Sequence, residues 1–397
     1  MRPWKSPRAV EKPDGRNAHF GEESPLAVPP IRGSRDDSHS RYALCRTEGK
    51  PLRIDLHRHL EGSHSPEALV KIAQRFDLRQ PLFWNELGQR FRTAAELRPL
   101  LTMADPSDDA TLFYECIKKA RAAYVSAEAI GELSRMAFDE AALDSPDGFE
   151  MRVSLFSMTR TLLENEKKEW RTIAPAAFAE RARELLLRVL SARDASEKET
   201  GVEMLLRLGF SRTFESEPHY RALGEIVREH AAVLSGLDVL GIVTGADKEP
   251  MPPALVEILQ GLRNVLPDLT VHAGEFEGHA AVDRTLELKP QAIGHGVHSV
   301  QSEKTLAKLA SEGVTVEVCP VSNALLIPTA LARLKAEHGG AHPLSVMQQA
   351  HIHCVLGSDD PTPMGTTYQR EWRELPAGVD AAQLERDIER RWKQLTA

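Results

Sequence analysis

Residues 269–279 read LTVHAGEFEGH. A short β-prone run, Leu269 to Val271, leads into His272, and Ala273 and Gly274 leave the backbone room to turn before Glu275. Two histidines and two glutamates around two glycines suit either a catalytic turn or a polar surface turn. The segment alone does not choose. The choice rests on whether other strands end the same way.

Outward from this stretch, from residue 51 on, short apolar runs bounded by turn residues alternate with helical patterns, the mark of parallel βα units. The candidate strands are 52–57, 149–155, 202–208, 236–242, 269–273, 290–295, 314–319 and 351–357. Their number predicts a closed (β/α)₈ barrel. A doubly wound open sheet would alternate similarly, but no GxGxxG follows a strand. The ionisable residues decide for the barrel. His57 and His59 end the first candidate strand, His272 the fifth and His295 the sixth, and Asp359 and Asp360 follow the eighth. Barrel active sites are built at that C-terminal rim.

In RIDLHRHLEG, alternation puts Asp55, His57 and His59 on one side of a strand and Ile54 and Leu56 on the other. An isolated HxH is more often a solvated strand end. With His272 and Asp359 added, however, the set becomes three imidazoles and a carboxylate, a donor set suited to Zn²⁺. The second HxH, His351 and His353, begins the eighth candidate strand instead of ending it, so it is expected at the opposite mouth and off the metal. His279 and His298 have no evident ligand position; His279 is expected to be exposed.

Composition narrows the function. The formal net charge of −8 gives no basic field for a nucleic acid polymer, which favours a small free ligand. No apolar run approaches the ~20 residues of a membrane helix. Four scattered cysteines without a CxxC fit neither a thiolate zinc site nor a disulfide framework. Charges and prolines in MRPWKSPRAV interrupt any secretory h-region, so a cytoplasmic protein is expected. Residues 1–50 carry six prolines and no regular period and read as a flexible tail. The catalytic domain is then 51–397, with a helical insertion after the first strand that includes 66–76. Leu384, Ile388, Trp392 and Leu395 share a helix face expected to pack on the outside of the barrel.

DLHRHLEG, TVHAGE, IGHG, EVCPVSN and GSDDP, in this order, resemble the adenosine/adenine deaminase family of the zinc amidohydrolases, over roughly residues 52 to 375. The resemblance implies a barrel hydrolase that replaces the exocyclic 6-amino group of a purine by oxygen, releasing ammonia. It implies one Zn²⁺ per chain on His57, His59, His272 and Asp359. Glu275 would protonate the ring nitrogen beside the attacked carbon, His295 would orient and deprotonate the attacking water, and Asp360 would hydrogen-bond the purine's other ring. Glu277 and His279 are expected to be bystanders.

Substrate choice is the weakest part of the pattern. Glu61 stands where adenosine deaminases generally carry Asp and adenine deaminases commonly carry Glu. GLDVLGIVTGADKEP departs from the family's fourth-strand sequence, leaving Gly241 or Gly245 to meet the purine. Adenosine is the expected substrate, with adenine or a modified adenosine as alternatives. The reading from another class is an idle purine-binding barrel. A cytidine-type deaminase needs HxE with PCxxC, which the chain lacks.

Overall fold

The two ends of the barrel sheet meet at the residues singled out above. In the computed structural model, which describes residues 52–213, 216–241 and 251–397, the His59 amide donates to the Asp359 carbonyl (2.8 Å) and the Asp359 amide to the His57 carbonyl (2.7 Å). These bonds bring the last strand back to the first. The strands are β1 (Ile54–His59), β2 (Gly148–Val153), β3 (Met204–Ser211), β4 (Gly236–Leu240), β5 (Leu269–Ala273), β6 (Ala292–His295), β7 (Thr315–Val318) and β8 (Cys354–Leu356). All pair in parallel and in chain order, as in a (β/α)₈ barrel and unlike a doubly wound sheet. The expected N-terminal tail, Cys45 and Gly245 lie outside the described residues.

All eight expected strands form, with shifted ends. β1 runs two residues past the expected His57, because its register slips between Asp55 and Arg58 and Arg58 then bridges to Asp359. β8 starts only at Cys354: His351 sits at a left-handed φ of 60°, which breaks extended backbone before it. His353 instead pairs with Asp387 (Nδ1–Oδ1 2.8 Å), away from the strand's C-terminal end.

After β1 come the inserted helices α1 (Pro66–Arg75), α2 (Ala94–Leu101), α3 (Ala110–Ala120) and α4 (Ala127–Asp144). Ser65 caps α1 by accepting from the Ala68 amide, Pro66 occupies its first position, and Leu69, Ile72 and Ala73 form its buried face. α5 (Leu155–Asn165) follows β2. The C-terminal helix Ala381–Thr396 buries Leu384, Ile388, Trp392 and Leu395 as expected, but its place differs. Trp392 packs on Gly148, where a Cβ would come within 2.6 Å of the indole; Asp387 accepts from the Cys354 amide (3.2 Å); and Arg391 pairs with Asp268 (2.6 Å). Those contacts lie at strand beginnings, so the helix meets the barrel's N-terminal mouth and not its outer wall. No helix of the described residues is long and apolar enough to cross a membrane.

Candidate active site

Three strands deliver imidazoles to one point. The ring of His57 lies 5.3 Å from that of His59, 4.8 Å from His272 and 5.0 Å from His295, centroid to centroid. The Nε2 atoms of His59 and His272 are 3.3 Å apart, and the Asp359 Oδ1 is 3.4 Å from His59 Nε2 and 3.7 Å from His57 Nε2. Ligands held at Zn–N and Zn–O distances of about 2.0–2.2 Å around a tetrahedron stand roughly 3.3–3.5 Å from one another. These separations lie near that spacing, and His57, His59 and His272 group closely, as do His57, His295 and Asp359, so the cluster fits a small divalent cation. His272 and His57 each turn the other ring nitrogen to a carboxylate: His272 Nδ1 to Asp238 Oδ1 (3.0 Å) and His57 Nδ1 to Glu317 Oε2 (3.1 Å). An Nδ1–H given to a carboxylate leaves the Nε2 lone pair facing the centre, as a metal ligand requires.

Burial pushes the His57 imidazole well below its usual pKa, helped by the Arg152 charge, and lowers His59 to about 4 and His295 to about 3. These rings are neutral at pH 7, the form that binds metal. Burial raises the Asp359 carboxyl, but His295, His59 and the Ser322 hydroxyl (2.6 Å) together hold it below the usual range, so it is ionised. His295 and Asp359 both adopt left-handed backbone, φ 63° and 60°, a strain of roughly 1–3 kcal/mol each of the kind concentrated at functional sites. Gly357 makes room beside them: a Cβ there would run into the His57 side chain and stand 3.0 Å from its Cα.

The buried network behind the imidazoles escapes the sequence reading. Arg152 of β2 donates to Glu317 and lies 3.5 Å from Asp238, clamping the two carboxylates that orient His57 and His272. Thr270 also donates to Glu317 (3.2 Å). Charges inside otherwise apolar strands, Arg152 with Glu150 in FEMRVSL, Asp238 in GLDVLGI and Glu317 in VTVEVC, were the available signal, since such groups are buried only when paired. Asp238→Asn should weaken metal affinity about 10- to 100-fold with little loss of fold, as measured by competition with a chelator.

Beyond β5, Glu275 is 8 % exposed with its Oε2 3.6 Å from His295 Nε2. Burial first, then Asp359 and Glu277, push its carboxyl well above the usual carboxylate range. Glu277, expected to be a bystander, is buried beside Glu275, and its charge also acts on Arg212, which donates to the carbonyls of His272 and Val239. His298 is buried with Nδ1 3.1 Å from the Gly274 carbonyl, steadying the turn that carries Glu275, while His279 is partly exposed and pairs with Asp283. The Asn323 amide lies 3.1 Å from His295 Nδ1.

A cavity of about 510 Å³ opens over this cluster. Its lining includes His59, His272, Glu275, His295, Asp359 and, from the other expected substrate residues, Glu61, Asp360 and Gly241. Glu61 accepts from the Ser154 amide (2.9 Å). Burial and then Asp359 and Glu61 push the Asp360 carboxyl well up, so it can donate as well as accept. A Cβ on Gly62 would overlap the Asp360 side chain, which is why glycine follows Glu61.

The sequence profile of the adenosine deaminase family matches residues 52–388. The chain belongs to the adenosine deaminase family. It is 26 % identical over 336 residues to an adenosine deaminase of Edwardsiella ictaluri (83 % of this chain, 89 % of that one). It is 29 % identical over 357 residues to the aminodeoxyfutalosine deaminase of Streptomyces avermitilis (86 % and 84 %). The crystal structure of an adenine deaminase from Arthrobacter aurescens superposes with a TM-score of 0.64 at 20 % identity, covering 87 % of this chain and all of that one, a likeness of fold. Membership makes this deaminase-family chain a metal-dependent hydrolase acting on an adenine-type purine.

Proposed function

We propose that the protein hydrolyses the C6–N6 bond of a 6-aminopurine nucleoside with one bound Zn²⁺, adenosine to inosine and ammonia being the parent reaction. The observation that carries this reading is Glu275, a buried carboxylic acid 3.6 Å from His295 and beside overlapping donor groups, His57–His59–His272 and His57–His295–Asp359, in one cavity. His57, His59, His272 and Asp359 would hold the ion, which when bound acidifies water and polarises it for attack near neutral pH.

The chain's own residues supply the rest. His295, whose Nε2 lies 3.6 Å from Glu275 and whose ring burial keeps neutral, would take a proton from the attacking water. As oxygen adds to C6, electron density moves to N1, and Glu275 gives its proton there. On collapse His295 returns its proton to the 6-amino group, the C6 hydroxyl gives its proton to the Glu275 carboxylate, C6–N6 breaks, and ammonia leaves. The product carries oxygen at C6 and hydrogen at N1, so atoms and charge balance. Asp360 is suited to the imidazole edge of the purine, and Glu61 and Gly241 to its remaining polar edges.

The test is ammonia release from adenosine, 2′-deoxyadenosine, adenine and N6-substituted adenosines by zinc-loaded protein. Turnover of at least one aminopurine is expected. Tightly held zinc with no ammonia from any of them would favour an idle purine-binding barrel.

A further inference from the structure

We infer that the cavity wall built by α3, the turn Arg121–Ala123 and α5 is an anion subsite, and that the favoured substrate is a 6-aminopurine nucleoside bearing a phosphate or carboxylate group. The inference rests on the deaminase reading of the same cavity and narrows its substrate.

Among the described residues, every lysine or arginine lining the cavity stands on this wall: Lys118, Arg121 and Arg160. A neutral nucleoside gives them nothing to neutralise. Two carboxylates share the wall, but both are solvated: Glu115 pairs with Lys118 at 3.4 Å with the two side chains 55 % and 77 % exposed, and half-exposed Glu164 stands 3.6 Å from Arg160. Such exposed pairs are worth little and rearrange readily. Arg121 forms no ion pair among the described residues, and its Nε is buried without a hydrogen-bond partner. Arg121 is partly buried and is offset only through space by the Glu61 and Asp360 carboxyls, so a bound anion would add charge-assisted hydrogen bonds that it lacks among the described residues.

The geometry also puts the charge within reach of the substrate. Arg121 acts electrostatically on both Glu61 and Asp360, which line the cavity beside the metal cluster, and on Arg160, whose pKa is lowered mainly by burial. Two like charges held near each other inside one cavity call for an anion between them. Their positions are fixed from behind: Asn165, at the end of α5, donates to the carbonyls of Arg121 (3.4 Å) and Tyr124 (2.9 Å), tying the turn to the helix that carries Arg160. A cavity of about 510 Å³ lies within the range for ligands of drug size, with room for a sugar and a further group besides the base.

Steady-state ammonia release should be compared for adenosine, adenosine 5′-monophosphate and adenosine 5′-carboxylate, in the zinc-loaded full chain and in Arg121→Gln, Arg160→Gln and Arg121→Lys. At least one anionic substrate should exceed adenosine in kcat/KM by about 10- to 100-fold, the size of a gained charged hydrogen bond, and the better of the two identifies the group. In the two glutamine variants that ratio should collapse toward one, chiefly through KM, and Arg121→Lys should recover part of it. Adenosine matching or beating both anionic purines would overturn the inference, as would variants that slow all three substrates equally, the result expected if Arg121 only steadies Glu61 and Asp360. No ammonia from any purine is a separate result that would remove the deaminase reading itself.

Discussion

Glu275→Gln is expected to keep its zinc and lose about 10²- to 10⁴-fold in kcat, the usual worth of general acid catalysis. The substitution preserves shape and hydrogen-bonding reach, and Glu275 is outside the donor sets that could hold the ion. What it removes is the proton that burial, Asp359 and Glu277 keep on this carboxyl. Without it, addition of oxygen to C6 leaves negative charge on N1 beside buried groups, where the charge is poorly stabilised. An amide can hydrogen-bond to N1 but cannot give up a proton to it. Metal content by elemental analysis and kcat by ammonia release separate the two effects. A variant with near-normal turnover would take the acid's role away from Glu275.

Loss of a ligand should act differently. His272→Ala is expected to reduce turnover to background and to bind no zinc at micromolar concentrations, because three remaining donors cannot match a four-donor site. Asp238, which now lies 3.0 Å from the His272 ring, would be left facing Arg152 alone. Breaking one side of a buried charged network costs about 3–5 kcal/mol, so the variant should also unfold at lower temperature. A chelator should lower the melting temperature of the wild type, since the ion binds only the folded chain, and leave that of His272→Ala unmoved. Equal chelator sensitivity in both proteins would mean that His272 is no ligand.

The sequence carried the barrel because β-prone runs, turn residues and helical periods recur often enough that pairing in chain order was the economical arrangement. The rim cluster was legible for the same reason: His57, His59, His272, His295 and Asp359 each fall at the end of a strand, and the closing bonds between His57, His59 and Asp359 bring them together. Arg152, Asp238 and Glu317 were not legible as a unit, since their meaning depends on which strands face across the barrel. Nor was the seat of the C-terminal helix, whose apolar face would serve equally on the wall or at the mouth; Asp387 and Arg391 decide it by finding partners at strand beginnings. The burial of Glu277 was not legible either, since it depends on the packing around Arg212.

A single ion gathered by residues from both ends of the sheet underlies the proposed reaction. Anomalous diffraction from crystals of the zinc-loaded protein, recorded on both sides of the zinc edge, tests this most directly. One peak is expected, about 2.0–2.2 Å from the Nε2 atoms of His57, His59 and His272 and from Oδ1 of Asp359. A peak elsewhere, such as at His351 and His353, or a second ion bridged to the first, would contradict it.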